Sequence, residues 1–310
     1  MLSVNPGYVT ESSAQLAARA DLFFRAFSRM HYRAMHVTSH EMAATPEVLI
    51  KAARRYKLPL VSSSIIHAKS GKPVFPLVVT RQVGPLRFGF IGAIASPPTG
   101  YKALFLERGY DVLDPEEAVR RGVAAAKAEG ATFVVLLSAV SRLQIDRVLE
   151  KVDGVDVVLG SDSYGLSTEL EIAGGSYFAD TFSKGKYISE LRITPAETAG
   201  NYRAADRSAS LRSRRAMLAQ QVEGLSATLG AEDAAARSPA TTRALQAEMA
   251  RMRAQMGLVD LELKDRTPAD PAAGTLALEA HPIAKTIEDD AVILKWVDAY
   301  KAQFPSSPSH

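Results

Sequence analysis

The chain of 310 residues contains no cysteine, which excludes disulfide bonds, thiolate metal sites and cysteine nucleophiles. No apolar run is long enough to cross a bilayer, so no transmembrane segment is predicted. The first residues, MLSVNPGYVTESS, lack both the basic region and the apolar core of a signal peptide. The net charge is only +3, and basic and acidic residues are intermixed, so no nucleic-acid partner is expected.

What the sequence does contain is typical of a folded globular protein. Hydrophobic residues make up 47% of the chain and charged residues 23%, which matches the average for such proteins. The length allows one large domain or two modest ones. The composition therefore excludes a disordered chain and an integral membrane protein, but it does not select a function.

Residues 33 to 160 alternate between predicted strands and helices. The segment TPEVLIKAARRY predicts a helix with Thr45 as N-cap and Pro46 at its first position. The next long helix is capped by Asp114 and ended by Gly130. Continuous apolar runs predict buried strands, at 33–37, 58–66, 74–83, 86–94, 132–140 and 155–160. This alternation predicts an α/β domain whose sheets are covered by helices.

The pattern changes after residue 168. Short alternating segments meet at Gly174-Gly175 and at Gly185, which predicts antiparallel hairpins. Apolar residues at helical spacing then predict two antiparallel helices, 208–229 and 245–259, with a coiled-coil-like seam. A strand, GTLALEAHPI, and a closing helix capped by Asp289 or Asp290 complete the predicted elements.

Several of these segments, in order, resemble a known family. YRAMHVTSHEM is similar to a stretch that ends in Gly-Asn-His-Glu, and LPLVSSSIIHAKSGKPVFP to the strand and turn that follow it. RFGFIGAIASP is similar to a later strand with the pattern Val-Gly-Val-Ile-Gly-Leu. GATFVVLLSAV is similar to a strand ending in Leu-Leu-Ser-His, VDGVDVVLGSDSY to one ending in Gly-Gly-His-x-His, and GGSYFADTFSKGKYISELRI to a last hairpin. The resemblance, from about residue 15 to 193, is to the metallophosphatase domain of the 5'-nucleotidase family, within the calcineurin-like metallophosphoesterases. It implies an α/β/β/α fold, two facing sheets flanked by helices.

The resemblance also implies a site with two divalent ions, manganese, zinc or magnesium, that activate a hydroxide against a phosphoester. Here Ser39 stands at the family's metal-binding Asn position, and His40 is retained as the residue that assists the leaving group. Ala139 stands at one metal-binding His position, while Asp162 and Tyr164 stand at two others. The predicted catalytic residue is therefore His40, and the predicted metal ligands, from a degenerate set, are Asp162 and Ser39.

The family's first two metal motifs, Asp-x-His and Gly-Asp, belong upstream of the segments found here, so either the sequence starts late or these motifs have been lost. The chain itself is therefore expected to hold no metal cofactor. Six histidines are present, and none has a spacing that places two imidazoles on one ion; they are 31, 36, 40, 67, 281 and 310. A plainer interpretation of His40-Glu41 is a loop that leads into a helix. A strand-to-turn junction likewise accounts for Asp162 and is favoured there.

Four segments are predicted: a metallophosphatase-like domain at 1–194, a helical hairpin at 195–272, a closing strand and helix at 273–304, and a tail at 305–310. Two functions compete. One is a phosphoesterase-like protein for nucleotides or related phosphoesters whose activity is weak or lost. The other is a non-catalytic scaffold that binds a protein partner, or a second copy, through the hairpin. The compartment is left open, although the resemblance suggests the periplasm or cell envelope if a signal peptide lies upstream.

Overall fold

The computed structural model describes most of the chain, namely residues 12–39, 41, 46–97, 99–161, 165–181, 185–198, 200–205, 208–230, 238–264, 272–284 and 287–305. Two compact units are distinguished. The first comprises Met1–Tyr202 and Gly274–His310, and the second comprises Arg203–Ala273. Within the described residues, no helix combines the length and apolar character that a membrane span needs.

The described helices lie in both units. They are α1 (Ser13–Arg29), α2 (Pro46–Tyr56), α3 (Thr99–Glu107), α4 (Pro115–Ala128), α5 (Arg142–Leu149), α6 (Ser208–Gly230), α7 (Pro239–Lys264) and α8 (Ala291–Gln303). The described strands are β1 (Met35–His36), β2 (Leu60–Val61), β3 (Ile65–His67), β4 (Val78–Val83), β5 (Leu86–Ile94), β6 (Tyr110–Val112), β7 (Phe133–Ala139), β8 (Val157–Gly160), β9 (Glu171–Ala173), β10 (Ser176–Asp180), β11 (Tyr187–Thr194), β12 (Tyr202–Ala204) and β13 (Gly274–Pro282).

The main sheet has six strands in the order β4-β5-β7-β8-β10-β9. Its four central strands are parallel, and both edge strands, β4 and β9, are antiparallel to their neighbours. Parallel strands are normally buried on both faces and therefore consist of continuous apolar runs. The run FVVLLSA of β7 fits this rule, since its first four residues are fully buried.

Helices cover one face of the main sheet. The buried residues of α4, including Ala118, Val119 and Val123, pack against Ile91 of β5 and Leu136 of β7. The approach is close at Gly122, where a Cβ atom would lie 2.6 Å from Ser63 Oγ and 3.0 Å from Ile91 Cβ. A glycine at this helical position therefore sets the distance between helix and sheet.

The other face of the main sheet meets a second sheet, in which β13 lies between β11 and β12. Phe133, Val135 and Val157 of the main sheet form one buried cluster with Leu276 of β13, and Leu191 of β11 packs against it. Two facing sheets with helices on the outer side of one of them make a mixed α/β architecture. The predicted fold class is confirmed in this respect.

Residues 58–66 do not form the single strand that the sequence predicts. Two short strands, β2 and β3, are separated by the fully buried serines 62–64. Ser63 Oγ donates a hydrogen bond to the carbonyl of Leu77 at 2.8 Å, and Ser64 Oγ accepts one from the amide of Ile94 at 3.1 Å. Side-chain hydroxyls that bond backbone groups compete with a regular ladder, and this explains the interruption.

The hairpin predicted at Gly174-Gly175 is present, since β9 and β10 pair antiparallel there. The hairpin predicted at Gly185 is wrong, because β11 pairs with β13 and not with β10. The reason is that both edges of β10 are occupied, one by β8 and the other by β9. Helix α3 and strand β6, which pairs with β3, were not predicted at all.

Polar contacts join the first and last described helices, α1 and α8. Of the two caps proposed for α8, Asp290 is the one used: its Oδ1 accepts from the amides of Val292 and Ile293. The same carboxylate accepts from Arg29 Nε, at the end of α1, at 2.9 Å. The hydrogen bond from Arg29 lowers the pKa of Asp290 to about 2, and Arg25 lies over the Trp296 ring.

The close approach at Gly122 predicts how one added methyl group would change the stability of the fold. Although alanine favours a helix, Gly122→Ala is expected to destabilise the fold by about 1–3 kcal/mol because Ser63 and Ile91 must move. The matched control is Gly224→Ala in α6, where a Cβ meets nothing within 4 Å and the change is expected to stabilise by about 0.5–1 kcal/mol. Thermal unfolding followed by circular dichroism compares the two, and equal midpoint shifts would contradict this account.

Candidate functional site

The candidate site is the edge of the main sheet at which its parallel strands end. The strands β5, β7, β8 and β10 end there at Ile94, Ala139, Gly160 and Asp180. Open α/β sheets bind ligands in the crevice beyond the carboxyl ends of their strands. The candidate site therefore consists of residues 37–41, which follow β1, and the residues just beyond each of these four strands.

A helical turn that contains Ser39 and Glu41 follows Thr38. The amide of Thr38 donates to Glu41 Oε2 at 2.9 Å. The hydroxyl of Thr38 donates to the same carboxylate oxygen. A carboxylate three residues into a helix that accepts from the N-cap amide is a capping-box contact. Glu41 therefore fixes the start of this turn.

Of the predicted site residues, only Ser39 is among the described residues. Ser39 is half-buried at the first position of the helical turn. His40 and Asp162 lie outside the described residues, as does Tyr164. Their roles stay predictions.

Ala139, which stands at a metal-binding position of the family, lies among apolar residues. It packs against the buried cluster that contains Val37, Ile65 and Ile94. Its carbonyl accepts from the amide of Ala95 at 3.1 Å. The methyl side chain offers no lone pair, so the end of β7 contributes no side-chain ligand at this position.

Hydroxyl groups at the neighbouring strand ends are engaged with backbone groups. Ser138 Oγ accepts from the amide of Val140 at 3.2 Å. Ser161 Oγ donates to the carbonyl of Ser138 at 3.1 Å, and Thr181 Oγ1 donates to the carbonyl of Gly160 at 2.9 Å. Each of these side chains therefore stabilises the backbone at the end of a strand.

One carboxylate at this edge was not singled out from the sequence. Asp180 is half-buried at the end of β10 and lies opposite Gly160 of β8. A Cβ at Gly160 would come within 2.5 Å of Asp180 Oδ1, so the carboxylate lies directly over this glycine. The signal available in the sequence was an acidic residue that ends the apolar run SYFAD.

His36, which precedes the helical turn, is a second residue that the sequence did not single out. His36, the last residue of β1, packs against β5: a Cβ at Gly92 would lie 2.4 Å from His36 Cδ2 and 2.8 Å from its Nε2. The Nε2 atom is buried and has no hydrogen-bond partner among the described residues. The signal available in the sequence was a histidine within the short apolar run RAMHV, together with a glycine inside the buried run GFIGAI that leaves room for a side chain from another element.

Burial controls the charge of His36. Removal of the imidazole from water lowers the pKa of His36 to about 4, although the nearby carboxylate of Glu41 acts in the opposite direction. The ring is therefore neutral at pH 7 and carries one unprotonated nitrogen. Such a group can accept a proton or bind a cation, but a single nitrogen is not a metal centre.

A two-metal centre needs a dense set of nitrogen and oxygen ligands around both ions. Among the described residues, one group of three His, Asp or Glu side chains has its ligand atoms within 4.8 Å of one another: Glu190, Glu279 and His281. These residues are exposed on β11 and β13 and are not at the carboxyl edge of the main sheet. The described residues of this edge therefore do not fit a two-metal centre.

Comparison with known proteins agrees with the fold. No family model matches the chain. The structure is similar to the sulfate thiohydrolase SoxB of Thermus thermophilus, with a TM-score of 0.51 and 23% identity, over 59% of this chain and 34% of SoxB. A calcineurin-like phosphoesterase of Bacillus subtilis, YfkN, also matches, with a TM-score of 0.48 and 17% identity, over 57% of this chain and 63% of YfkN. The SoxB likeness shows a shared fold.

In sequence, the chain is 24% identical over 188 residues to YunD of Bacillus subtilis, which is described as an uncharacterized metallophosphoesterase. The match covers 60% of this chain and 39% of YunD, so the chain spans about two fifths of its relative's length. The chain is therefore a homologue of a metallophosphoesterase, and the predicted resemblance is confirmed.

The buried histidine predicts a specific response to acid. Because the pKa of His36 is lower in the folded state than its ordinary value of 6.5, the unfolded chain takes up the proton first as the pH falls. Stability is therefore lost between about pH 6.5 and pH 4, and between pH 7 and pH 5 the loss is on the order of 2 kcal/mol. Urea unfolding at both pH values measures it.

The variant His36→Leu should lose this part of the pH dependence, while carboxylates continue to contribute equally in both chains. The matched control is His67→Leu, which removes an exposed imidazole and leaves His36 in place. A His36→Leu chain with the same pH dependence as the parent chain would show that His36 is not the group that titrates.

Proposed function

We propose that this chain is a metallophosphoesterase-like protein for nucleotides or related phosphoesters in which hydrolysis is weak or lost. The observation that carries the proposal is the chemistry of the carboxyl edge. Ala139 provides no ligand there, and the hydroxyls of Ser138, Ser161 and Thr181 are bonded to backbone groups. The homology to an uncharacterized metallophosphoesterase supports the fold and a phosphoester as the substrate.

The physical reason is that the ligands of a two-metal site act as a unit. Such a site stabilises the attacking and the leaving oxygen together, so the loss of several ligands removes most of the rate enhancement. His40 can assist a leaving group only if the phosphoester is held and polarised nearby. With Ser39 and Asp162 as the predicted remaining ligands, divalent metal is expected to bind weakly.

Hydrolysis of bis-p-nitrophenyl phosphate or a nucleotide in saturating manganese is therefore expected to stay near background. The variants His40→Ala and Asp162→Ala should not lower that rate, because neither residue has a working centre to serve. Release of p-nitrophenolate or phosphate is the measurement. A turnover of about 1 per second or faster that His40→Ala abolishes would contradict the proposal.

Calorimetric titration with manganese, zinc or magnesium provides the control on metal loading. Weak binding with background hydrolysis supports a degenerate centre in this chain. Two sites with dissociation constants of about 1 μM or lower would contradict the weak metal binding even if no tested ester is hydrolysed. The combined replacement of Ser39 by Asn and of Ala139, Asp162 and Tyr164 by His should improve metal binding more than any one of them alone.

A second candidate function is a scaffold that associates through the hairpin formed by α6 and α7. Leu211, Leu218, Met249 and Val259 are buried, as expected for an internal seam, and Arg215 pairs with Asp260 at 2.6 Å. Met217, Leu258 and Leu261 are nevertheless each 63% exposed. Exposed apolar residues beyond the needs of the seam favour a surface for association.

The double change Leu258→Lys and Leu261→Lys tests this alternative without deleting any residue. If the hairpin mediates association, the particle mass in light scattering should fall while helical content is retained. The control is Glu248→Lys and Arg251→Glu, which alters exposed charges of the same helix and should leave the mass unchanged. A mass that is identical in all three chains would rule out association through these leucines.

A further inference from the structure

A groove lies between helix α2 and strand β4. Its volume is about 500 Å³, and small-molecule sites in proteins typically have volumes of about 300–1,000 Å³. Its lining comes from α2, β2, residues 74–76 and β4, and from Glu129, the C-cap of α4. All of these residues belong to the first compact unit. The groove is therefore large enough for a small molecule.

The floor of the groove is apolar. Ten of its fourteen lining residues are apolar, which favours a ligand with an apolar body. Leu58, Leu60 and Phe75 are buried members of the cluster against which Ala139 packs. Val78 belongs to the cluster under α4. Because the floor is the outer side of two core clusters, packing inside the domain fixes its shape.

Backbone hydrogen bonds hold the walls of the groove together. The amide of Leu58 donates to the carbonyl of Ala53 at 3.0 Å, which closes the end of α2 against the start of β2. The amide of Ser62 donates to the carbonyl of Pro76 at 3.1 Å, which ties β2 to the segment before β4. The shape of the groove therefore depends on contacts within residues 50–81.

The groove is distinct from the candidate site at the carboxyl edge of the main sheet. Its polar residues Thr80 and Arg81 lie opposite Gly89 and Phe88, near the start of β5. The candidate site lies beyond Ile94, at the other end of the same strand. A ligand at the polar end of the groove would therefore not occupy the position of a phosphoester at the carboxyl edge.

Two arginines line the groove from different walls. Arg54 is exposed on α2 and Arg81 is half-buried on β4. In the described part of the chain, neither guanidinium is paired with a carboxylate, whereas the arginines 120, 142 and 215 each form an ion pair. The carboxylate of Glu129 is engaged elsewhere, since its Oε2 accepts from Thr80 Oγ1 at 3.0 Å. The lining therefore carries a net positive charge.

The guanidinium of Arg81 is held in place beside the floor. Its Nη1 donates to the carbonyl of Thr80 at 2.7 Å, and its other N–H groups have no partner among the described residues. A guanidinium has five N–H donors in a planar arrangement that matches the two oxygens of a carboxylate, sulfonate or phosphate. Arg81 therefore presents unused donors next to an apolar surface.

We propose that the groove between α2 and β4 binds a small organic anion. The apolar body of the ligand lies on the floor formed by Leu58, Phe75 and Val78. Its single acidic group pairs with Arg81, and the charge of Arg54 on the facing wall attracts it further. The site is independent of the phosphoesterase site and of association through the hairpin.

A matched pair of dyes tests both parts of this chemistry. The anion 1-anilinonaphthalene-8-sulfonate carries one sulfonate on an aromatic body, and N-phenyl-1-naphthylamine is its neutral counterpart. Fluorescence titration of the full chain should show one saturable site for the anion, with a dissociation constant of about 10–100 μM. The neutral dye should bind roughly tenfold more weakly, because it lacks a hydrogen bond to a charged group.

The arginine variants identify the partner of the acidic group. Arg81→Gln removes the charge and retains an amide that can donate to the carbonyl of Thr80. It should weaken the anionic dye roughly tenfold and leave the neutral dye unchanged, whereas a merely structural effect would weaken both. Arg54→Gln should act in the same direction. The control is Arg147→Gln, at an exposed arginine of α5 outside the groove, which should change neither affinity.

The variant Ala53→Leu tests the floor. It fills the groove without a change in charge, so both dyes should bind more weakly while the far-ultraviolet circular dichroism stays that of the parent chain. Excess inorganic phosphate should not displace the anionic dye, which separates this site from the carboxyl edge. The double change Leu258→Lys and Leu261→Lys should leave its affinity unchanged, which separates it from the hairpin.

Several results would overturn the proposal. They are the absence of saturable binding of the anionic dye, equal affinity for the two dyes, and an unchanged affinity for the anionic dye in Arg81→Gln. Displacement by phosphate or loss of binding in the hairpin variant would likewise overturn it, because the dye would then be bound elsewhere.

Discussion

The glycines of strand β5 allow close contact on both faces of the main sheet, and the rest of the fold depends on that contact. At Gly89 a Cβ would lie 2.9 Å from the Cβ atoms of Ala126 and Ala131, on the side covered by α4. At Gly92, on the opposite face, it would meet the ring of His36. Because core side chains pack at crystal-like density, a larger residue at either position would displace the elements that carry the candidate site.

Local sequence patterns predicted those elements that are determined by residues close together in the sequence. The buried strand at 133–139, the cap at Asp114 and the hairpin at Gly174-Gly175 each depend on residues a few positions apart. The pairing of β11 with β13 does not, because it joins segments about 87 residues apart, as in the contact between Arg192 and Glu279. No local pattern specifies which distant strand completes a sheet, and the interruption at Ser62–Ser64 likewise depends on partners at Leu77 and Ile94.

The candidate site was predicted from the sequence with only part of its chemistry. The resemblance predicts metal ligands at the ends of strands, and it identifies Ala139 as a position without a ligand. It gave no information on His36, because the imidazole owes its low pKa to burial against β5. Nor did it show that the hydroxyls beside Ala139 bond the backbone, a contact that depends on the exact spacing of neighbouring strand ends.

The shared carboxylate of Asp290 affects the order in which the chain acquires its structure. It caps α8 and at the same time binds the last residue of α1, so this bond joins groups 261 positions apart in the sequence. During synthesis α1 emerges from the ribosome long before its partner exists. In α1, Arg25 lies over Trp296 and Arg29 binds Asp290, so this side of α1 is completed only after residues 290–296 have been made. Until then, this surface of the nascent chain is available to chaperones or to neighbouring chains.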